Sequence, residues 1–348
     1  MEGKMQGLFK TAKGEGHVAL LETDIPHPKV DEVLIEIKAA GICGTDLHIL
    51  HDQYPYWPPV ILGHEFSGQI VEVGAQVTGY KVGDRVVGEP HTLACGKCEL
   101  CRTGYQQLCS FKRSIGWGIN GAFARYLAMP EKLLHHIPDS LTYDEAAVVE
   151  PTANVVQDVI ERGEVAANDF VVVVGPGPIG LLSVMAARAA GAREIALVGV
   201  KADVNRRLAK GKELGADHII VADAENAVET VAALTGGRGA DVVVEASGAP
   251  SAIASTVSMV RRLGRIAVIG MTGREQISFP WDAAIRKMCT ILFNLSTGYT
   301  SWEKAIGLIA SKKIDVARLI THRVPLAEWQ KAFTAAEKGE ALKALLIP

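Results

Sequence analysis

The feature that most constrains the fold is an uninterrupted apolar run, Phe170–Val174, which leads directly into a glycine-rich turn. A strand without polar alternation is typical of one that is buried on both faces, as in a parallel sheet. A helix-like segment follows at 179–190, and strand-like segments at 194–198, 218–221, 241–245 and 265–269 alternate with further helix-like stretches. This alternation predicts an α/β fold with a doubly wound parallel sheet in this part of the chain.

The turn has the spacing G-x-G-x-x-G, and its residues are Gly175, Pro176, Gly177, Pro178, Ile179 and Gly180. The first glycine permits a tight turn, the second lets the backbone approach a pyrophosphate, and the third lets the helix pack on the strand. The phosphates would then meet the unpaired N–H groups at the helix N-terminus. We therefore predict a dinucleotide-binding site at Gly175, Gly177, Pro178, Ile179 and Gly180, with a purely structural turn as the alternative.

The end of the next predicted strand bears on the choice between NAD and NADP. A carboxylate at this point would accept hydrogen bonds from the ribose hydroxyls of NAD. The position, 24 residues after Gly175, is instead Gly199. Lys201, Arg206 and Arg207 follow, and their cations would suit the 2′-phosphate of NADP, although Arg206 and Arg207 could instead begin a solvated helix. We therefore expect NAD(P) as the cofactor, with a preference for NADP; the alternative is that Asp203 reaches back to the ribose.

Four of the six cysteines lie within fifteen positions, at Cys95, Cys98, Cys101 and Cys109. Such clustering in a chain without an evident export signal favours metal binding over disulfides. Four thiolates in one loop enclose a tetrahedral Zn²⁺ completely, and a closed site of this kind stabilises a fold without taking part in chemistry. We predict a structural zinc site here; an iron–sulfur cluster is the alternative.

A second set of candidate metal ligands is spread along the first 150 residues. Cys43 lies in a segment rich in polar residues, His64 directly precedes Glu65, and Glu150 precedes a proline. One thiolate, one imidazole and one carboxylate would neutralise Zn²⁺ and leave a fourth position for water or substrate, as catalysis requires. Each residue also has an ordinary alternative: Cys43 as a small buried side chain, His64 as a packed core histidine, and Glu150 at a helix terminus.

Composition and charge argue against several classes of function. Lysine and arginine number 36 and aspartate and glutamate 39, so the net charge of −3 provides no basic surface for nucleic acid. The longest uncharged stretch, 170–187, is interrupted by three glycines and two prolines, which argues against a membrane span. We therefore expect a cytoplasmic protein that acts on a small molecule, without a nucleic-acid or membrane partner.

Together, these motifs resemble the zinc-containing medium-chain alcohol dehydrogenase superfamily. The matching segments are 41–48, 63–65, the cysteines at 95–109, Glu150-Pro151 and 175–180, and they occur in the family's order along nearly the whole chain. The resemblance implies a GroES-like β-barrel catalytic domain at 1–155 and 298–348 and a Rossmann dinucleotide-binding domain at 156–297. It also implies one catalytic and one structural zinc per chain, and a homotetramer or homodimer.

The resemblance further implies roles for individual residues. Cys43, His64 and Glu150 would hold the catalytic zinc. Thr45 corresponds to the hydroxyl of the family's proton relay and His48 to its terminal acceptor, with an ordinary surface histidine as the alternative for His48. Glu65 is either a carboxylate behind the ligands or an exchangeable ligand.

The glutamate at the third ligand position is similar to that of sorbitol-type polyol dehydrogenases, because ethanol-type enzymes have a cysteine there. The segment 199–206 also resembles that of bacterial polyol-phosphate dehydrogenases. The implied activity is zinc-dependent oxidation of a secondary alcohol of a polyol, sugar or polyol phosphate to the ketone, with hydride transfer to NAD(P)⁺. L-Threonine 3-dehydrogenases share this ligand set and are one alternative; a non-catalytic cofactor-binding protein is an alternative of another class.

Overall fold

The computed structural model of the chain describes residues 3–91 and 93–348. Contacts within it divide the chain into two units. The first unit comprises Met1–Pro151, Thr297–Ala310 and Val316–Pro348, and the second comprises Thr152–Ser296 and Ser311–Asp315. None of the helices in the described ranges is long and apolar enough to cross a lipid bilayer.

The first part of the chain consists of short strands joined by turns and short helices. The strands are β1 (Lys4–Lys10), β2 (Val18–Asp24), β3 (Glu32–Gly41), β4 (Val60–Ile61), β5 (Glu65–Val73), β6 (Arg85–Gly88), β7 (Tyr126–Pro130) and β8 (Leu134–His136). The helices are α1 (Gly44–Leu50), α2 (Glu99–Arg102), α3 (Tyr143–Ala146) and α4 (Val149–Val155), and 3₁₀ turns lie at Gln106–Leu108 and Glu131–Leu133. A π-helical segment, Val156–Arg162, continues α4.

The middle of the chain alternates strands with helices. The strands are β9 (Phe170–Val174), β10 (Glu194–Gly199), β11 (His218–Val221), β12 (Ala240–Glu245), β13 (Val260–Val268) and β14 (Thr290–Phe293). The helices are α5 (Pro178–Ala189), α6 (Ala209–Glu213), α7 (Ala227–Leu234), α8 (Pro250–Met259) and α9 (Trp281–Lys287). A 3₁₀ turn at Lys201–Asp203 and a π-helical segment at Val204–Leu208 precede α6.

The chain then returns to the first unit. This part contains α10 (Tyr299–Ala310), a 3₁₀ turn at Val316–Leu319, β15 (Ile320–Pro325), a 3₁₀ turn at Leu326–Glu328, α11 (Trp329–Glu337) and β16 (Lys343–Ile347).

The sheet of the second unit has the strand order β11-β10-β9-β12-β13-β14, with every neighbouring pair parallel. β9 lies in the interior of this sheet, and all five of its residues are buried, which explains why it lacks polar alternation. Helix α5 begins with Pro178, whose missing N–H would be unpaired at this position in any case. The predicted α/β class with a doubly wound parallel sheet is confirmed.

The first unit contains two sheets in the described part of the chain. One has the order β2-β1-β4, and the other has the order β15-β16-β3-β5-β6-β8, with β7 also paired to β3. Pairing is antiparallel except between β15 and β16. Apolar side chains of β3 and β5 pack with Phe123 and Phe333 in a shared core. This topology places β3 between β16 and β5, and residues of all three strands meet at the candidate site described below.

A buried histidine links three elements of the first unit. His135 of β8 contacts Glu89 Oε1 at 3.1 Å through Nε2 and Glu303 Oε1 at 2.6 Å through Nδ1, and its ring stacks on Trp302. Burial disfavours the imidazolium, but the hydrogen bonds to the two carboxylates outweigh burial and raise the pKa of His135.

We expect this contact to stabilise the fold in a pH-dependent manner. Because the pKa of His135 is higher in the folded chain, its contribution is fully present below the ordinary value of 6.5 and declines as pH rises through the folded pKa. His135→Gln should therefore lower the free energy of unfolding by about 1–2 kcal/mol more at pH 6 than at pH 9. Denaturant unfolding followed by tryptophan fluorescence measures this difference.

The exposed His27 supplies the control, since His27→Gln should show no such trend. A destabilisation by His135→Gln that is the same at both pH values would contradict the charge assignment and leave only a packing role.

Candidate metal centres and dinucleotide site

The structure brings the four clustered cysteines together in a lobe around α2. Their sulfurs lie within 4.8 Å of one another, with 3.9 Å between Cys95 and Cys101 and 4.0 Å between Cys98 and Cys109. Sulfurs about 2.3 Å from a tetrahedral zinc lie about 3.8 Å apart, so the lobe fits this ion. Backbone N–H groups of Lys97 and Cys98 lower the pKa of Cys95 to about 6, which favours the thiolate that zinc requires.

Cys43 lies at the start of α1, in the first unit. It is the N-cap residue of the helix, and its backbone N–H donates to Asp46 Oδ2 at 2.9 Å. Asp46 is fully buried, and its other carboxylate oxygen, Oδ1, lies 3.8 Å from Nδ1 of His64. Neither Oδ1 nor Nδ1 has a hydrogen-bond partner. Asp46 therefore both shapes the turn that presents Cys43 and faces the imidazole of His64.

His64 lies immediately before β5 and is buried. The ring of Trp117 meets its imidazole edge to face, with the centroids 4.9 Å apart, and Tyr54 packs against Trp117 in the same manner at 5.8 Å. Burial lowers the pKa of His64, but the negative charges of Cys43, Asp46 and Glu150 outweigh burial and raise this pKa to about 10. The imidazole thus lies in a strongly negative environment.

Glu65 follows His64 in the chain and is the first residue of β5. One ligand atom from each of Cys43, His64 and Glu65 lies within 4.8 Å of the other two, so these residues form a compact S, N, O donor set. The carboxylate of Glu65 is almost completely buried and forms an ion pair with the buried ammonium of Lys343 on β16.

Glu150, in the first turn of α4, is buried but lies outside this compact donor set. Its charge nevertheless raises the pKa values of His64 and Lys343, so the carboxylate is close enough to act on both. Glu65 therefore forms a compact set with Cys43 and His64, and Glu150 is a further carboxylate whose charge acts on His64.

This donor set meets the requirements of a zinc ion. Thiolate, imidazole and carboxylate are the usual zinc ligands, and a dication compensates for buried negative charge that would otherwise be costly. His64 Nδ1 lies 3.8 Å from Asp46 Oδ1. A carboxylate behind one ring nitrogen is common at zinc sites where the other ring nitrogen is the ligand.

The two candidate relay residues lie on α1. The hydroxyl oxygen of Thr45 is 3.7 Å from Cys43 Sγ, so it borders the donor set. His48 is exposed, and its Nδ1 contacts Gln53 Oε1 at 3.3 Å. Thr45 therefore lies beside the candidate metal centre, and His48 is in contact with solvent.

The glycine-rich turn of the second unit connects β9 to α5 as predicted. A Cβ on Gly180 would lie 1.8 Å from the carbonyl oxygen of Gly175, so only glycine permits this close packing of helix on strand. Gly177 is the N-cap residue, and a Cβ on it would meet no atom within 4 Å. Pro178 and Ile179 begin the helix. The backbone of Gly177 therefore faces open space at a helix N-terminus, where a pyrophosphate binds.

A cavity of about 680 Å³ in the second unit includes Gly175, Gly177 and Gly199 in its lining. Lys201 and Arg206 are exposed and lie outside this lining, which instead contains Asp203 and Arg207.

Asp203 occupies the space beside Gly199. Its Oδ2 accepts a hydrogen bond from the backbone of Val200 at 3.2 Å and would lie 3.2 Å from a Cβ on Gly199. Arg207 lies 3.5 Å from the other carboxylate oxygen of Asp203, and its buried Nε has no hydrogen-bond partner. A carboxylate and a guanidinium therefore both adjoin the position where the adenosine ribose of a dinucleotide binds in this type of fold.

The sequence alone does not predict Asp46, Lys343 or Trp117 as neighbours of the candidate metal ligands. Asp46 was detectable, because an acidic residue three positions after a helix N-cap is a local capping signal. Lys343 and Trp117 have no such signal, since strand pairing and loop packing bring them to His64 and Glu65 from distant parts of the chain.

Two family models match the chain. The alcohol dehydrogenase GroES-like domain matches residues 29–139, and the zinc-binding dehydrogenase model matches residues 178–311.

Full-length relatives carry several activities in their names. Sorbitol dehydrogenase of Halalkalibacterium halodurans is 40% identical and covers 99% of each chain. D-Arabitol-phosphate dehydrogenase of Enterococcus avium is 35% identical over 99% of this chain and 98% of the relative. L-Threonine 3-dehydrogenase of Bacillus licheniformis is 37% identical over 100% of both chains.

A solved structure from Sinorhizobium meliloti, described as a zinc-binding dehydrogenase bound to NADP, has a TM-score of 0.93. It is 30% identical to this chain, and the match covers 99% of this chain and 100% of the other. The expected resemblance is thus confirmed over the full length: the chain belongs to the zinc-containing medium-chain alcohol dehydrogenase family and is an oxidoreductase whose cofactors are zinc and NAD(P).

Proposed function

We propose that the protein oxidises a secondary alcohol of a polyol, sugar or polyol phosphate to the ketone and transfers the hydride to NAD(P)⁺. The observation that carries this proposal is the buried group of one thiolate, one imidazole and carboxylates around His64. The relatives named for sorbitol and for D-arabitol phosphate support the substrate class.

In this proposal Cys43, His64 and Glu150 are the ligands of the catalytic zinc, and Cys95, Cys98, Cys101 and Cys109 hold the structural zinc. Zinc held by the first set would act as a Lewis acid toward the substrate hydroxyl. Asp46 keeps the ring of His64 in a fixed orientation, and Trp117 excludes water from one side of it.

Thr45 and His48 would carry the hydroxyl proton of the substrate to solvent. Thr45 adjoins Cys43, and its hydroxyl both accepts and donates a proton. His48 is exposed on the same helix, so its imidazole is in contact with solvent and could pass the proton to water. Cys43 thus lies close to the start of the path and His48 at its end.

We propose that residues 156–297, which fall almost entirely within the second unit, are the dinucleotide-binding domain, and that 1–155 with 298–348 is the catalytic domain. A bound nicotinamide would accept the hydride. Gly175, Gly177, Pro178, Ile179 and Gly180 would form the pyrophosphate site.

A preference for NADP is part of this proposal. Gly199 provides no carboxylate, and Lys201 and Arg206 supply cations nearby. The buried, unpartnered Nε of Arg207 adds a cation to the cavity lining. Asp203 favours NAD instead, so the choice depends on which of these charges faces the 2′-position.

L-Threonine 3-dehydrogenase is the second candidate function. The observation that favours it is the full-length identity of 37% to a protein of that name. Such a substrate needs partners for an ammonium and a carboxylate, which a neutral polyol does not.

We propose that the protein is a cytoplasmic homodimer or homotetramer. β14 is the last strand of its sheet, and within the described residues only β13 pairs with it. Trp281, Met288 and Phe293, in or next to α9 and β14, are each exposed by more than two thirds. An unpaired strand flanked by exposed apolar side chains is suited to symmetric pairing with a second copy.

The first test is a substrate panel with NAD⁺ and NADP⁺. We expect turnover of at least one of sorbitol, xylitol, arabitol and their phosphates, faster with NADP⁺, measured as absorbance of the reduced nicotinamide. Chelation should abolish turnover and added zinc should restore it, because the metal would be needed to lower the pKa of the substrate hydroxyl. Turnover of L-threonine alone would establish the second candidate, and no turnover by zinc-loaded enzyme would contradict both.

The second test concerns the ligands. Wild-type protein should contain two zinc ions per chain, one for each cysteine-containing group. In Glu150→Ala the proposed catalytic site loses one of its three protein ligands, so this variant should retain only the zinc of the cysteine lobe. Cys101→Ser removes a ligand of the lobe and should retain only the catalytic zinc. Elemental analysis of the purified variants measures both. Glu65→Gln is the matched control: loss of zinc in this variant, with retention in Glu150→Ala, would assign Glu65 as the third ligand instead.

The third test concerns assembly. Phe293→Lys should convert the assembly to smaller species, because the charge would be buried in the proposed interface. Light scattering coupled to size-exclusion chromatography measures the mass. Val82→Lys, at an exposed position of the first unit, should leave the mass unchanged. An unchanged assembly in Phe293→Lys would place the interface elsewhere.

A further inference from the structure

Lys343 is a buried cation that the proposed mechanism does not use. Its residue is 5% exposed, its ammonium forms an ion pair with Glu65, and it also donates a hydrogen bond to the carbonyl oxygen of Ile42 at 3.0 Å. An ammonium without water is stable only beside a compensating negative charge. In this structure Glu65 supplies that charge, and the charges of Cys43 and Glu150 add to it.

The sheet contains a slot for this ion pair. Strand β3 lies between β16 and β5, and Gly41 of β3 is paired with Leu345 on one side and Glu65 on the other. A Cβ on Gly41 would lie 2.1 Å from Glu65 Oε2 and 3.0 Å from Lys343 Cε. The side chains of Lys343 and Glu65 therefore meet in the space that the missing side chain of Gly41 leaves.

The same carboxylate adjoins the candidate metal ligands. An oxygen of Glu65 lies within 4.8 Å of Cys43 Sγ and a ring nitrogen of His64. Zinc with three protein ligands keeps a position for substrate, whereas a fourth protein ligand closes it. Glu65 thus has two alternative cations to bind, Lys343 and the metal, and only the first alternative leaves the centre open.

We propose that Lys343 is a positioning residue that holds Glu65 back from the metal and thereby determines how open the catalytic centre is and how readily the metal leaves. This proposal rests on the ligand assignment under Proposed function. Lys343 touches neither substrate nor cofactor in this role; it acts through Glu65.

The test uses full-length enzyme with cobalt in the catalytic site and zinc in the cysteine lobe, and imidazole as the probe of the open position. In wild-type enzyme, imidazole should change the visible cobalt spectrum. In Lys343→Met, Glu65 is released to occupy that position, so the affinity for imidazole should fall by at least about tenfold. Release of cobalt to a chelator should slow by a similar factor of about ten, because the ion gains a protein ligand.

A double variant separates positioning from a general effect of charge. In a Glu65→Gln background, Lys343→Met should leave imidazole affinity and cobalt release nearly unchanged, because no carboxylate remains to be released. This double variant also removes both charges of the ion pair, so it leaves no buried charge unpaired if Lys343→Met alone folds poorly. An effect of Lys343→Met that persists in this background would overturn the proposal.

Two further variants complete the design. Lys343→Arg keeps the charge and should retain wild-type imidazole affinity, and Lys331→Met removes an exposed lysine and should have no effect. Equal imidazole affinity in wild type and Lys343→Met would also overturn the proposal. Failure of wild-type enzyme to bind cobalt outside the cysteine lobe would instead show that the ligand assignment is wrong, and this inference would fail with it.

Discussion

The first unit is organised around a concentration of negative charge at one buried imidazole, that of His64. Cys43, Glu65 and Glu150 come from three different elements, and Asp46 adds a fourth acidic group behind His64. Without cations, such a group would destabilise the fold by several kcal/mol per charge. The buried ammonium of Lys343 supplies part of the compensating charge, and a zinc ion bound at the proposed site would supply the rest. Binding of metal and stability of this region are therefore two aspects of the same electrostatic balance.

Backbone features hold these charges in place. The N-cap geometry of α1 presents Cys43 and lets Asp46 accept from its N–H, so one short segment positions both a candidate ligand and the carboxylate that faces His64. Strand pairing aligns Glu65 with Gly41, where the absence of a side chain leaves room for Lys343. Because the antiparallel register determines which residues face one another, a shift by one position would move Glu65 to the other face of the sheet.

Much of the second unit could be predicted from local sequence. The unbroken apolar run of β9, the glycine turn and the start of α5 each follow from residues within a few positions of one another. The choice of cofactor could not be predicted in the same way. Lys201, Asp203, Arg206 and Arg207 are all close to Gly199 in the sequence. Of these four, Asp203 and Arg207 line the cavity, because the 3₁₀ turn and π-helical segment after β10 determine which residues face it.

The sequence by itself determined the parallel sheet, the glycine turn and the grouping of four cysteines, since each depends on spacing within one strand, turn or loop. Only the tertiary structure decided that Glu65 forms a compact donor set with Cys43 and His64, and that Lys343 pairs with its carboxylate. The physical reason is that these contacts depend on the order and register of strands far apart in the chain. The buried ion pair between Lys343 of β16 and Glu65 of β5 does not alter the pattern of apolar and polar residues in either strand, so neither strand's sequence predicts it.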